Sequence, residues 1–160
     1  MAISVDTTPT ASTSTELAIP DNRMNPVIKG MWLAALRDPS RKQAKHVLRS
    51  EAGECCLGVL CDVAVKNDVI PEPVYDQWRE NFRFQDSTVD GPWESSVLPK
   101  AVREWAGIRV ANPLVVASVT AYDVNAGENV TSVRRAALAE LNDSASFTFA
   151  QLADLIEAQL

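Results

Sequence analysis

The stretch LAELNDSASFTFAQLADLIEAQL, residues 138–160, predicts two helices joined by a short polar turn. Thr148 and Gln151 have the spacing of a capping box, in which each side chain satisfies a backbone N–H of the other residue. Phe147, just before the cap, and Leu152 have the spacing of a hydrophobic staple. Apolar residues of the second helix recur at helical spacing and predict one buried stripe, formed by Phe149, Leu152, Ala153 and Ile156. We expect the first helix to carry Val133, Ala137, Leu138 and Leu141.

This hairpin has the pattern with which a helix-turn-helix DNA-binding motif begins, but its charge disfavours that function. No Lys or Arg follows Arg135, whereas the hairpin carries the acids Glu140, Asp143, Asp154 and Glu157. Phosphate neutralisation dominates nucleic-acid affinity, and the second helix of the motif enters the major groove. If Phe149–Ala158 were that helix, it would present acids to the phosphates. A DNA-binding regulator is therefore a disfavoured alternative, and we expect the hairpin to close the core.

The composition is that of one globular domain. The chain has 160 residues, of which 46% are hydrophobic and 22% are charged, as in ordinary globular proteins. The formal net charge of −6 disfavours nucleic acid and anionic membranes as main partners. No apolar run is long enough to span a membrane, and residues 1–23 lack the pattern of a secretory signal. Three cysteines without export features indicate reduced thiols in a cytoplasm.

The chain is expected to consist of an arm and one domain. Residues 1–23 are rich in Ser and Thr without periodicity, which predicts a flexible arm. Residues 24–160 are expected to form the globular domain, beginning with a helix that has Asn25 as N-cap and Pro26 as its first residue. That helix ends before Asp38-Pro39.

The remaining pattern predicts an α+β fold. Apolar spacing indicates three further helices, at 55–67, at 74–81 (carrying Tyr75 and Trp78) and from Leu98 to a C-terminal cap at Gly107. Residues 40–54 alternate in a way that favours strand over helix, with a turn at 51–53. Four short strands are predicted at 82–84, 93–97, 114–122 and 129–131, with turns at 90–92 and 125–127. The expected architecture is a single compact domain with helices outnumbering short antiparallel strands and a C-terminal helical hairpin.

Four landmarks follow one another along the domain: Met24-Asn-Pro26 ahead of Trp32, Cys55-Cys-Leu-Gly-Val-Leu-Cys-Asp62, Leu98-Pro99 with Glu104-Trp-Ala-Gly107, and Leu141-Asn-Asp143 ahead of Phe149–Glu157. In this order they resemble a family of small uncharacterised proteins common in tailed-bacteriophage genomes. Residues 1–23 and 111–129 depart from the family pattern, as an added arm and an inserted hairpin. The resemblance implies a phage or prophage origin and a bacterial cytoplasm. It implies no mechanism, because the family has no established catalytic or ligand residues.

Four soft metal ligands are present, namely Cys55, Cys56, Cys61 and His46. A structural zinc site needs four such ligands, but adjacent cysteines rarely turn toward one ion and no Cys-x-x-Cys pair occurs. We therefore predict no metal site, with these residues as weak candidates only. A cysteine nucleophile with His46 as base would also need a third group to orient the imidazole, for which Asp62 is one candidate. No phosphate-binding loop or hydrolase motif occurs, so we expect no enzymatic activity and no cofactor.

One basic cluster stands out in the acidic chain, formed by Arg37, Arg41, Lys42, Lys45 and Arg49. Charge runs are usually solvated surface. The functional alternative is an anion pocket for phosphates, with Trp93 or Trp105 stacking on a base, which would make the protein a sponge for a nucleotide signal.

The sequence favours a non-enzymatic phage or prophage accessory protein that binds a host or phage protein, in host takeover or counter-defence. The nucleotide-signal sponge is the alternative. We expect a protein partner and no membrane, nucleic acid is disfavoured, and homo-oligomerisation is left open.

Overall fold

The structure, a computed structural model, describes residues 23–86 and 91–160. Within these ranges the chain forms five helices: α1 (Pro26–Leu36), α2 (Cys56–Lys66), α3 (Lys100–Ala106), α4 (Leu138–Asp143) and α5 (Phe149–Gln159). It also forms seven strands: β1 (Arg49–Ser50), β2 (Gly53–Glu54), β3 (Val74–Asp76), β4 (Asn81–Gln85), β5 (Trp93–Glu94), β6 (Leu114–Asp123) and β7 (Glu128–Ala137). The predicted arm, except Arg23, and Asp90 of the predicted turn lie outside the described residues.

The predicted α+β class is confirmed, with one difference in the count of elements. In the described ranges the strands outnumber the helices. Three of the strands, β1, β2 and β5, have only two residues each. Strands this short carry no periodicity that a sequence pattern can reveal. The strands form small antiparallel sheets, β1–β2, β3–β4–β5 and β6–β7, rather than one continuous sheet.

Helix α2 lies at the centre of the core. Nine of its eleven residues are buried, as expected for a helix that is apolar on nearly all sides. Trp32 of α1 is fully buried and donates a hydrogen bond from Nε1 to the carbonyl of Cys56, 2.9 Å away. The predicted N-cap of α1 is confirmed, since Oδ1 of Asn25 accepts hydrogen bonds from the N–H groups of Val27 and Ile28.

The C-terminal hairpin is confirmed in its second half. The Thr148–Gln151 capping box is present, and the predicted stripe of α5 is buried. The first helix is shorter than predicted, because Val133 and Ala137 belong to β7 and helix α4 begins only at Leu138. The register of β7 against β6 over ten pairs overrides the helical spacing of these apolar residues.

The predicted helix at 74–81 is wrong. Residues 74–76 form β3, which pairs antiparallel with β4 so that Tyr75 lies opposite Phe82. Glu80 has φ 55°, a left-handed value that no helix accommodates, so the chain turns back on itself. The turn predicted at 51–53 does lie between two strands, β1 and β2, but its last residue, Gly53, already belongs to β2. Gly107 ends α3 in the left-handed conformation, as predicted.

No helix in residues 23–86 or 91–160 is both long and apolar enough to cross a bilayer.

Candidate functional site

The turn between β3 and β4 carries Trp78, whose side chain is 94% exposed, the highest value among the large hydrophobic residues described. The turn is held by Asp76. One oxygen of its carboxylate accepts hydrogen bonds from the backbone N–H groups of Trp78 (3.0 Å) and Arg79 (3.3 Å). The other oxygen lies 2.7 Å from Nη1 of Arg79 and 3.3 Å from Nε of Arg83. Because Asp76 is buried, it fixes the turn from within and leaves Trp78 in water.

One face of the β3–β4–β5 sheet continues the exposed apolar area. Val74 lies opposite Arg83, and Gln85 lies opposite Trp93, so these side chains share a face. The guanidinium of Arg83 is 5.4 Å from the centre of the Trp93 ring, within the range of a cation–π contact. Val74 and Trp93 are both exposed. The sheet therefore presents an arginine stacked on an exposed tryptophan.

The other face of the sheet holds a second pair of the same kind. The rings of Tyr75 and Phe82 meet edge to face with centroids 5.2 Å apart, and the Arg49 guanidinium lies 4.7 Å from the Phe82 centroid. Tyr75 is also exposed. We call the set Val74, Trp78, Arg79, Arg83 and Trp93 the aromatic–arginine surface; Tyr75 lies on the opposite face of the sheet.

Sequence reasoning missed this surface. It assigned Tyr75 and Trp78 to a helix, and no periodicity marks a three-residue strand. The available signal was Asp76, since an aspartate that accepts hydrogen bonds from N–H groups two and three residues later is typical of a turn. For Trp93 the sequence suggests only stacking on a nucleotide base. Trp105, suggested for the same role, is partly buried and packs against the core.

Asp76 makes the stability of this turn dependent on pH. The hydrogen bond from Arg79 holds the pKa of the Asp76 carboxyl below its usual value of 3.8, against the opposing effect of burial. A depressed folded-state pKa means that the ionised carboxylate stabilises the fold above the unfolded-state pKa and ceases to do so as the pH falls.

We therefore expect the free energy of unfolding of the wild type to exceed that of Asp76→Asn by a constant amount above about pH 5, and this difference to shrink as the pH falls below it. Urea unfolding at pH values from 7 to 2.5 measures both proteins. Asp68→Asn, which removes an exposed carboxylate after α2, is the control. A difference in unfolding free energy that is as large at pH 2.5 as at pH 7, or that has already vanished near pH 6, would contradict this role.

The arginines of the predicted basic cluster are directed to different neighbours. Arg37 reaches α5, where its Nη2 lies 2.9 Å from Asp154 and 2.8 Å from Glu157. Arg41 lies 2.8 Å from both Glu54 and Asp62. The Arg49 guanidinium lies over Phe82, whereas Lys42 and Lys45 are exposed.

Guanidinium groups that already bind carboxylates are poorly suited to bind phosphate, since the phosphate would have to compete with those carboxylates. Arg41 is only 14% exposed and bonds two carboxylates, and Arg37 also bonds two. This placement weakens the anion-pocket hypothesis. The acids Asp154 and Glu157 of α5 lie at the surface and bind Arg37 there.

The cysteines lie inside the fold. Cys56 and Cys61 are buried on α2 and Cys55 is buried as its N-cap, whereas the His46 side chain is 78% exposed. Among the described residues, no group of three or more His, Cys, Asp or Glu side chains is placed to hold a metal ion.

A cleft of about 230 Å³ is lined in part by His46, Cys55, Ser96 and Asp143. Nδ1 of His46 lies 3.2 Å from Asp143, so the group beside the imidazole is Asp143 and not Asp62, which binds Arg41 and Lys66. Burial raises the pKa of the Cys55 thiol to about 11. The thiol also accepts the N–H of Gly58 as the N-cap of α2. At pH 7 a thiol of this pKa is a thiolate in roughly one molecule in 10⁴, so Cys55 is a weak nucleophile.

No curated protein and no solved structure matches this chain. Residues 24–160 match the model of the family described as Domain of unknown function (DUF8296), and the chain therefore belongs to that family.

Proposed function

We propose that this chain is a non-enzymatic accessory protein of phage or prophage origin. It acts in the bacterial cytoplasm by binding a host or phage protein, in host takeover or counter-defence. The observation that carries the binding proposal is Trp78, held outward on a fixed turn at 94% exposure beside further exposed aromatic and apolar side chains.

The chemistry of the aromatic–arginine surface is that of a protein interface. Trp, Tyr and Arg are the residues enriched among those that dominate protein–protein binding energy. Here Trp78, Trp93 and the two arginines Arg79 and Arg83 lie on one small sheet and its turn. Exposed aromatic side chains gain free energy when a partner removes them from water.

Preorganisation adds to this argument. The carboxylate of Asp76 already binds both backbone N–H groups of the turn and the side chain of Arg79. A partner would therefore not have to order the turn on binding, which lowers the entropic cost of association.

The state of the thiols disfavours one class of enzyme, the class that uses a cysteine nucleophile. Burial raises the pKa of Cys56 and Cys61 well above the usual value, and that of Cys55 to about 11. Reactive cysteines instead have depressed pKa values in electropositive, accessible surroundings.

The test compares tagged wild type with Trp78→Ala as bait in bacterial and phage-infected lysates. Val27→Ala, which truncates another exposed apolar side chain on α1, is the matched control. We expect one protein to be retained by the wild type and by Val27→Ala. Its Kd, measured with purified components, should rise by about 30-fold or more for Trp78→Ala, as for an interface hot spot.

Two results would overturn the proposal. One is a partner whose affinity is the same for Trp78→Ala and the wild type. The other is a nucleotide that copurifies with the protein and binds stoichiometrically, which would instead support the sponge.

A further inference from the structure

Strands β6 and β7 form a ribbon that extends beyond the core. Their ten pairs run from Leu114–Ala137 to Asp123–Glu128. At the base, Val115, Ala117, Val119 and Ala136 are buried. In the distal part, residues 120–133, every residue except Asp123 is exposed. A two-stranded ribbon with neither face covered is marginally stable in water.

The two edges of this ribbon differ. On the outer edge of β6, the side chain of Gln159 from α5 pairs with Val116: its Oε1 accepts the Val116 N–H at 2.7 Å, and its Nε2 donates to the Val116 carbonyl at 2.9 Å. In the part of the chain that the structure describes, neither strand has a further strand neighbour, but the Gln159 side chain of α5 occupies the β6 edge at Val116. The edge of β7 is therefore the one on which a further strand does not meet α5.

The Gln159 contact also reveals which groups on β7 face outward. Since the backbone N–H and C=O of Val116 point away from β7, the pair Val116–Arg135 is not a hydrogen-bonded pair of the ladder. Pairs alternate along an antiparallel ladder, so the backbone groups of Asn129, Thr131 and Val133 also point outward from β7.

Between Asn129 and Val133 this edge lacks the features with which proteins usually prevent edge pairing, since it has no charged residue there. Residues 128–137 contain no proline and no lysine, and the ten-pair register has no bulge. The segment Val130-Thr-Ser-Val133 has side chains that favour strands.

We propose that the open edge of β7 pairs antiparallel with β7 of a second copy of this chain, with the two-fold axis at Thr131, to give a four-stranded sheet. Such an axis is normal to the sheet, so residues that it places opposite each other have their side chains on the same face. Their backbone groups either both point toward the other copy or both point away from it. Thr131 then forms a hydrogen-bonded pair with Thr131 of the second copy.

Charge complementarity selects this register. With the axis at Thr131, Glu128 of each copy lies opposite Arg134 of the other, twice in the dimer. Arg134 already forms an ion pair with Glu140 of its own chain, so Glu128 would complete an acid–arginine–acid row. An axis at Ser132 would instead place Glu128 opposite Ala136 and Arg134 opposite Val130, and both ion pairs would be lost.

Proline substitutions test the edge with a matched control. Thr131 and Thr120 lie opposite each other, their hydroxyls are 2.7 Å apart, and both have outward backbone groups that the ribbon ladder does not use. Thr131→Pro removes the donor at the proposed axis, while Thr120→Pro makes the same change on the β6 edge. By sedimentation velocity, the full chain should form a dimer of twice 17.4 kDa. Its Kd should rise at least about tenfold in Thr131→Pro, since a paired edge depends on these backbone bonds, and should change little in Thr120→Pro.

A disulfide trap covers the case in which a proline variant does not fold. Cα atoms of a hydrogen-bonded antiparallel pair are about 5.5 Å apart, within the range of a disulfide. Thr131→Cys should therefore form a crosslinked dimer under mild oxidation, and Thr120→Cys should not; the native cysteines are buried and do not compete.

A wild type that remains monomeric at high concentration overturns the proposal. So does a dimer that neither weakens in Thr131→Pro nor crosslinks through Thr131→Cys. Loss of lysate capture in Thr131→Pro with a monomeric wild type would assign the edge to a different protein, which also overturns self-pairing. None of these results depends on Trp78, so the binding proposal above is tested separately.

Discussion

Replacing Gly58 with alanine is expected to destabilise the protein by about 3 kcal/mol or more, because the new side chain would overlap fixed backbone. An ideal Cβ at Gly58 would lie 1.8 Å from the carbonyl oxygen of Leu48 and 2.6 Å from its carbonyl carbon. That carbonyl accepts the N–H of Cys55, and the Leu48 N–H donates to the carbonyl of Ser95 at 2.7 Å. Relief of the overlap therefore requires α2 to move away from the segment that fixes its first turn.

Gly30→Ala is the matched control. Gly30 lies on the exposed side of α1, and nothing lies within 4 Å of its ideal Cβ. Alanine is the better helix former, so this variant should gain about 0.5–1 kcal/mol. Urea unfolding followed by circular dichroism measures both variants. Equal effects of the two substitutions would show that the contact between Gly58 and Leu48 is not close.

The second large effect is expected for Asn142→Leu. Asn142 is fully buried in α4: its Oδ1 accepts the N–H of Cys56 at 3.0 Å, and its Nδ2 donates to the carbonyl of Ala44 at 2.8 Å. The Gln43 side chain donates to the same Oδ1 at 3.1 Å. The amide thus connects α4 to the start of α2 and to the segment before β1.

Leucine has the same branched skeleton of side-chain heavy atoms as asparagine and supplies no hydrogen bond. The variant leaves a buried N–H and a buried C=O without their partner, at about 1–3 kcal/mol each, so a total loss of about 3 kcal/mol or more is expected. Asn125→Leu, at the exposed ribbon turn, should stay within about 0.5 kcal/mol of the wild type. The same urea unfolding measurement applies; a loss for Asn142→Leu below 1 kcal/mol would mean that water or another group replaces the amide.

The elements that the sequence predicted well are those with their own local signals. The α5 capping box, the Asn25–Pro26 start of α1 and the Gly107 end of α3 are each specified within a few residues. Helix α2 was also predicted within a residue or two of each end, because its apolar run is long. The two helix starts and the helix end are decided by contacts between residues close in sequence, and α2 by its apolar composition.

The errors have a common origin. Val133 and Ala137 have helical spacing, but β7 is fixed by its ladder with β6. Val74–Asn81 was assigned to one helix, but it is divided by a turn that Asp76 holds together with Arg79 and Arg83. In both cases the conformation is decided by partners across a ladder or a turn. The spacing of residues along the chain gives no information about those partners.

The candidate site shows the same division. The cations of the basic cluster are visible in the sequence, yet the carboxylates that bind Arg37 come from more than a hundred residues away in α5. The aromatic–arginine surface depends on the pairing of β3, β4 and β5, which brings Trp93 beside Arg83. Neither arrangement could be derived from composition or charge.

The sequence by itself determined the α+β class, the central buried helix and the ends of several helices, since these follow from local hydrogen bonding and from the amount of apolar surface to be buried. Only the tertiary structure decided which backbone groups Gly58 and Asn142 contact, which arginines bind carboxylates, and that Trp78 is exposed. The physical reason is that each of these depends on backbone or charged groups distant in sequence and adjacent in space.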